Sequence, residues 1–316
     1  MSGSAPVIDR SSLARAFAEL GLGEPGELTL LEGGSSISYR VSRLQSEDLV
    51  LKIYNEVRGD SSGREAFAAA LLAKPGVPIT HVLARDESLS RLPFRYAVTN
   101  YLPGVRVALF RDAPDVSELY RQMGALLRQL HEVRLPAFGA FNTDGIVDPI
   151  ASHSDYIVKL WAVVLERFRY FGAKPDVADR LDQIVRRNLD LAAHTSGPVF
   201  AHDDFQPQNV LAERNAAGHL GLTGLLDFGN ARAADACFDL AKALFCCEHE
   251  APGSSAAILK GYGPINHPDP ERAIWLYTLI HRVVMWYWLR QIGVIGDNEI
   301  HQLMVDLQAM SHEKQS

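Results

Sequence analysis

A change of hydrophobic period near residues 100–104 limits this chain more than any other feature. Before it, short apolar runs at residues 28–31, 39–41, 49–54 and 96–101 are set apart by turn-forming tracts such as Gly33-Gly34-Ser35-Ser36 and Gln45-Ser46-Glu47-Asp48. That is the pattern of strands and hairpins. After it, residues 116–132, 154–171, 176–193, 236–247, 271–292 and 297–311 repeat apolar residues every three to four positions, the pattern of helices buried on one face. Leu102-Pro103-Gly104 divides the two regimes and breaks the last strand. Neither a single sheet nor a helix bundle accommodates both patterns. The expectation is an α+β chain of two lobes, a small β-rich lobe over residues 1–101 and a larger, mainly helical lobe over residues 102–316. Residues 8–21 (Ile8, Leu13, Ala16, Phe17 and Leu20, closed by Gly21 and Gly23) and 63–73 add helices to the first lobe. Residues 198–201 and 210–227 add a short extended region to the second.

At 316 residues the chain can bury roughly three quarters of its extended surface. Its composition, 47% hydrophobic and 22% charged, excludes a disordered, collagenous or coiled-coil description. Cys237, Cys246 and Cys247 offer no disulfide framework, so a reducing, cytoplasmic setting is expected. The start, Met1-Ser2-Gly3-Ser4-Ala5-Pro6, lacks a positive segment followed by an apolar one, and no signal peptide is expected. His281 and Arg282 interrupt the most apolar stretch, residues 273–289, which reads as a buried helix and not a membrane span. A formal charge of −7 leaves no basic footprint for nucleic acid and favours a neutral or cationic partner.

Two polar segments carry the chemistry. The first is His202-Asp203-Asp204-Phe205-Gln206-Pro207-Gln208-Asn209-Val210-Leu211; the second is Leu225-Leu226-Asp227-Phe228-Gly229. Phosphoryl transfer needs a carboxylate to orient an attacking hydroxyl and take its proton. It also needs a second carboxylate and an amide oxygen to hold the Mg²⁺ that neutralises the phosphates. A tight loop presenting Asp204 and Asn209, with a hairpin returning Asp227 beside them, meets both requirements.

These segments resemble the signatures of kinase-like phosphotransferases, specifically the aminoglycoside phosphotransferase and choline kinase branch. Residues 202–211 are similar to that branch's His-Gly-Asp-Leu-His-Pro-Gly-Asn-Val-Leu, and residues 226–241 to its Ile-Asp-Phe/Trp…Gly-Asp-Pro…Asp-Leu-Ala. Leu135-Pro136-Ala137-Phe138-Gly139 resembles a segment of the hygromycin-type enzymes. The resemblance spans residues 28–290 and implies a protein-kinase-like fold with Mg·ATP in the cleft. It makes Asp204 the catalytic base, Asn209 and Asp227 the Mg²⁺ ligands, and His202 the brace of the catalytic loop. Asp239 then pins that loop from the next helix. Asp235 stands at the Gly-Asp-Pro aspartate, flanked here by Ala234 and Ala236, and takes a structural role.

The first lobe completes the expected nucleotide site. Lys52 ends the apolar strand Leu49-Val50-Leu51, where a kinase lysine reaches the α/β-phosphates and pairs with a helix glutamate. Glu65 is its expected partner. Backbone amides of Ser35 and Ser36 would donate to phosphates, although Ile37 and the serines replace an Asn the family often has there. By the kinase pattern, adenine would bond the Asn100 carbonyl and the Leu102 amide between apolar walls of Val41, Val50, Leu211 and Leu226.

The acceptor is less plainly written. Gln206 occupies the position of a protein kinase's catalytic-loop lysine, and the short interval from Asp227 to Asp239 holds no Ala-Pro-Glu segment. Ala251-Pro252-Gly253 lacks the acid. A small hydroxyl-bearing acceptor is therefore expected, with no nucleic acid and no membrane, on a monomer or homodimer. Glu248, Glu250, Asp269 and Glu271 are candidates for an aminoglycoside's ammonium groups. Of Trp275, Tyr277, Trp286, Tyr287 and Trp288, most are expected in the core, with one or two free to stack on a ligand. The alternatives are a choline-like alcohol, a sugar, homoserine or a macrolide as acceptor, GTP in place of ATP, or a nucleotide-binding pseudokinase. Antibiotic resistance is the role the family implies.

Overall fold

A computed structural model describes residues 7–31, 36–54, 61–73, 77–293 and 298–312. The first lobe is built on an antiparallel sheet. Its strands β1 (Leu28–Leu31), β2 (Ile37–Val41), β3 (Leu49–Ile53), β4 (Val82–Asp86) and β5 (Tyr96–Asn100) lie in the order β1-β2-β3-β5-β4. Helix α1 (Arg10–Glu19) is started by Asp9, whose carboxylate accepts from Ser12 N at 2.8 Å, a normal N-cap. Its Leu13, Ala16 and Phe17 cover one face of the sheet, against Val41, Leu49, Leu51, Ile53, Tyr96 and Val98.

The pleat decides what the other face carries. Residues directly opposite in paired strands point to the same side, and the register sets Ser38 and Ala97 against Lys52, and Arg40 and Thr99 against Val50. Those six residues face the helical lobe. Val41 pairs with Leu49 and is fully buried in the α1 core. It is therefore not the expected wall of the nucleotide cleft; one step along an alternating strand, Arg40 lies on that side instead.

Helix α2 (Ser61–Leu71) belongs to the first lobe by sequence and to the second by packing. Ala68, Ala69 and the following Leu72 share a hydrophobic cluster with Leu119 and Met123, and with Phe205 and Phe228 of the two polar segments. Phe67 meets Phe141 edge-on at 5.1 Å.

The second lobe holds α3 (Val116–Leu130), α4 (His153–Tyr170), α5 (Pro175–Arg187), α6 (Leu189–Ala193), α7 (Ala236–Glu250), α8 (Ser254–Tyr262), α9 (Pro270–Gln291) and α10 (Asn298–Met310). Two small sheets cross it. One orders β11 (Leu220–Leu225), β10 (Val210–Arg214) and β6 (Val105–Arg106); the other orders β8 (Ile146–Ile150), β7 (Phe138–Phe141), β12 (Arg232–Ala234) and β9 (Val199–Ala201). Helix α9 runs through the main core, burying Leu276, Tyr277, Ile280, Val283 and Trp286, while Trp288 stays exposed. Among the described residues no helix is long and apolar enough to cross a membrane.

Several features depart from the sequence expectation, the unexpected strands β4, β6 and β12 among them. The helix expected over residues 176–193 is broken at the buried Asn188, whose amide nitrogen donates to Ile184 O at 2.8 Å and whose amide oxygen accepts Arg272 at the same distance. Strands β7 and β8 lie where no strand is expected, with Gly139 and Pro149 masking the period. Helix α8 is hidden by glycine and proline at both ends, yet it packs closely along α3. A side chain at Gly124 would strike Ile258 O, and one at Gly261 would strike Arg121 O, so both glycines are there to let the helices meet.

Candidate active site

The loop between β9 and β10 is held from behind by one buried carboxylate. Asp239, in the first turn of α7, accepts His202 N on Oδ2 and Asp203 N on Oδ1, each at 2.8 Å. His131 Nε2 lies 3.1 Å from the same Oδ2, and His131 Nδ1 is 2.7 Å from Tyr262 OH. Burial works to raise the Asp239 carboxyl, but the hydrogen bond and charge of His131, with His202, hold it below the usual carboxylate range. This carboxylate stays ionised and fixes two consecutive peptide groups.

His202 ties the loop to the strand that delivers Asp227. Its Nε2 donates to Leu226 O at 3.0 Å, and its ring lies between Phe205 and Phe228. Asp203 and Asp227 both adopt left-handed backbone, at φ 52° and 63°, which a non-glycine residue adopts at a cost. Such strain concentrates at sites where surrounding contacts enforce it.

Asp204 is oriented from two sides. Asn209 Nδ2 donates to Asp204 O at 2.9 Å and to Oδ2 at 3.1 Å, while Gln206 Nε2 donates to Oδ1 at 3.2 Å. Leu226 N donates to Asn209 O at 2.8 Å, so the β10–β11 hairpin sets Asp227 next to Asn209. The hairpin also brings Leu102 and Leu211 together, since a Cβ on Gly224 would lie 2.8 Å from Leu102 Cδ1 and 3.1 Å from Leu211 Cδ1.

Lys52 reaches across from β3. Its Nζ is 2.6 Å from Glu65 Oε1 and 3.4 Å from Asp227 Oδ1. Tyr54 OH donates to the other Glu65 oxygen at 2.9 Å. Burial disfavours the Lys52 ammonium, yet the fields of Glu65 and Asp227 outweigh it and raise its pKa, so the lysine is charged. Burial likewise pushes Asp227 up, and Lys52 with His202 pulls it below the usual value.

Of the other residues singled out in the sequence, Asn100 uses its side-chain oxygen on His81 N at 2.6 Å, and its carbonyl accepts the Thr99 hydroxyl at 3.2 Å. Ser36 sits half-buried just before β2; Ser35, with Gly33 and Gly34, lies outside the described residues. Glu248 accepts Gly253 N at 2.7 Å and Ser255 N at 3.0 Å, and Asp269 caps α9 by accepting Arg272 N. Those two carboxylates close turns at the ends of α8 and α9.

Three residues near the site were not singled out in the sequence. Thr99 shares the Lys52 face, which only strand register reveals. Arg40 lies on that face too, with its guanidinium on Asp48 at 2.6 Å and 4.5 Å from the Tyr101 ring centre. Lys242 of α7 reaches the β9–β10 loop, 3.8 Å from Asp204 Oδ1, and no sequence motif marks it.

The donor set suits a hard cation. Asp227 offers carboxylate oxygens, and Asn209 directs its amide nitrogen to Asp204, which turns its oxygen elsewhere. Magnesium is commonly held by one or two such oxygens together with substrate phosphates and water. Among the described residues no cluster of three or more His, Cys, Asp or Glu side chains forms a metal cage.

Fold and site together define a two-lobed, kinase-like phosphotransferase. The sequence agrees: residues 27–276 match the model of the phosphotransferase enzyme family, and the chain belongs to that family. None of the curated proteins matches it. Among solved structures it is similar to the aminoglycoside phosphotransferase APH(4)-Ia, with a TM-score of 0.69, 18% identity, and 97% of this chain and 100% of that one covered. It is also similar to a choline/ethanolamine kinase family protein from Mesorhizobium loti, with a TM-score of 0.63, 17% identity, and 96% and 95% covered. A gentamicin complex of APH(2")-IIa gives a TM-score of 0.64 at 17% identity, with 98% of each chain covered.

Proposed function

We propose that this enzyme transfers the γ-phosphoryl group of Mg·ATP to a hydroxyl of a small acceptor. The observation that carries the reading is the convergence of Lys52, Asp227, Asn209 and Asp204, delivered by three separate segments, within one set of polar contacts. An APH(4)-Ia structure holding AMP-PNP and hygromycin B supports a nucleotide and a small acceptor on this fold. The three buried, free cysteines fit the expected cytoplasmic setting.

Asp204 is the group that would accept the proton of the acceptor hydroxyl. The hydroxyl oxygen forms a bond to the γ-phosphorus as the bond from that phosphorus to the β-bridging oxygen breaks, and ADP leaves with that electron pair. Lys52, fixed by Glu65, meets the nucleotide phosphates. Asn209 and Asp227 would hold Mg²⁺, which supplies charge neutralisation on the phosphates. Thr99, Val50, Leu102, Leu211 and Leu226 border the base-binding side, where the Asn100 carbonyl and the Leu102 amide are the backbone groups for a purine. Asp204, Asn209, Asp227 and Lys52 are all present, which favours an enzyme over a nucleotide-binding pseudokinase.

The test is coupled ADP release from Mg·ATP against aminoglycosides (hygromycin B and gentamicin included), choline, ethanolamine, sugars and homoserine, with Asp204→Ala as control. Acceptor-dependent release that disappears in Asp204→Ala is the expected result. Equal release in that variant refutes the assignment.

A further inference from the structure

The catalytic loop has no lysine or arginine of its own: the position two residues after Asp204 is the neutral Gln206. A cation arrives from elsewhere. Lys242, on the second turn of α7 and half-buried at the site's floor, donates through Nζ to Asp203 O and stands 3.5 Å from Asp203 Oδ1 and 3.8 Å from Asp204 Oδ1. Its neighbour Asp203 is already paired, because Arg232 Nη2 of β12 lies 2.6 Å from Asp203 Oδ2. One carboxylate faces two cations. Lys242 stands nearly as close to Asp204 Oδ1 as to Asp203 Oδ1, so its charge acts on both carboxylates.

The geometry points to Lys242 as a positioning residue for Asp204, supplying from α7 the positive charge that the catalytic loop lacks at Gln206. This inference rests on the phosphotransferase reading above. The two contacts make different contributions. The hydrogen bond to Asp203 O holds the left-handed peptide that precedes Asp204. The charge holds the Asp204 carboxylate between Lys242 and Gln206 on Oδ1 and Asn209 on Oδ2. Although burial disfavours its ammonium, the fields of Asp203 and Asp204 raise the pKa of Lys242, so the charge is present at neutral pH. The other titratable groups felt at this position are Cys246 on the same helix and Arg232 on β12, with His281 of α9 facing it from the far side. Cys246 and His281 are neutral there, since burial raises the thiol to about 12 and lowers the imidazole to about 4.

A four-enzyme comparison tests it: wild type, Lys242→Met, Lys242→Gln and Lys242→Arg. For each, turnover is followed as ADP release from Mg·ATP with the best acceptor of the panel, or with water as acceptor. AMP-PNP binding is measured by calorimetry and folding by thermal melting. The expected result is a fall in kcat of roughly ten- to a hundredfold for Lys242→Met, the scale of a misplaced catalytic group. AMP-PNP affinity and KM for ATP should stay within about twofold. Lys242→Gln keeps a donor for Asp203 O without the charge and should be as impaired as Lys242→Met, whereas Lys242→Arg should regain most of the rate. Full recovery by Lys242→Gln overturns the charge role. A folded Lys242→Arg as slow as Lys242→Met overturns it too, as does wild-type kcat in Lys242→Met. Loss of rate together with loss of nucleotide affinity in every variant assigns Lys242 to structure alone. Should Lys242→Met fail to fold, Lys242→Gln and Lys242→Arg decide. If wild type shows no turnover that depends on Asp204, the phosphotransferase reading itself fails and this inference falls with it; turnover that survives every Lys242 substitution removes only the inference.

Discussion

The ammonium of Lys52 stands 3.4 Å from Asp227 Oδ1, although 175 residues separate the two in the chain. One end is a strand of the small sheet; the other follows the hairpin of the helical lobe. The contact joins the two lobes at the place where, on the function proposed above, the phosphates of a nucleotide would meet both.

Replacing Lys52 with Met keeps the length of the side chain and removes the charge. Glu65 is then left buried without its cation, 8% exposed at the side chain, and Asp227 loses the stronger of its two stabilising fields. The expected outcome is a loss of kcat/KM for ATP of roughly 10²–10³-fold, the range for removal of one preorganised donor at a developing charge. Steady-state kinetics checked against a circular-dichroism melt provides the measurement.

Gly229 packs against two carboxylates of the site. A Cβ there would sit 3.2 Å from Asp227 Oδ1 and 3.4 Å from Glu65 Oε1. Gly229→Ala should displace Asp227 by a few tenths of an ångström while leaving the fold intact. Titration of turnover with MgCl₂ should show a raised requirement for magnesium and a smaller change in the affinity for AMP-PNP. An unaltered magnesium titration would count against Asp227 as a metal-facing residue.

Asp239→Asn removes the charge that accepts from two consecutive peptide groups and faces His131. Loss of one partner from a buried charged network costs about 3–5 kcal/mol, so urea unfolding should shift to a markedly lower midpoint. Turnover should fall as well, because the Asp203–Asp204 peptide is no longer held. Since the folded carboxyl lies below its ordinary 3.8, the native state binds fewer protons than the unfolded chain there. Its contribution is complete above pH 3.8 and disappears as pH falls through the lowered folded value.

His281 sets a second acid-sensitive window. Its Nε2 donates to Phe238 O at 2.9 Å, and burial lowers its pKa from 6.5 to about 4. The unfolded chain takes up a proton that the native imidazole refuses. Stability is therefore full above pH 6.5 and declines as pH falls towards 4. Melting temperatures measured across that range should fall more steeply for wild type than for His281→Gln, which keeps a donor but does not titrate. Parallel slopes would contradict this.

Much of the site was readable because it lies in two uninterrupted segments. Residues 202–211 and 225–229 carry their own loop and hairpin geometry, and the pairing of Lys52 with Glu65 spans one strand and the helix after it. Thr99, Arg40 and Lys242 were silent because each arrives on an element whose facing depends on register or packing, and neither is written in a motif. Val41 shows the same limit from the other side. The kinase pattern suggested a cleft residue, and a pleat of period two turned it into the α1 core. In the fold, the change of period near residue 100 located both lobes, whereas α8 and β7–β8 escaped notice where glycine and proline interrupt a short repeat.

The packing of α2 has a mechanical consequence. Ala68, Ala69 and Leu72 anchor this helix in the core of the larger lobe, so the position of Glu65 is set by the larger lobe and that of Lys52 by the small sheet. Any rotation of the sheet away from the helical lobe parts an ion pair 2.6 Å long and leaves a carboxylate stranded indoors. The contact thus acts as a latch whose closure and whose charge balance are the same event.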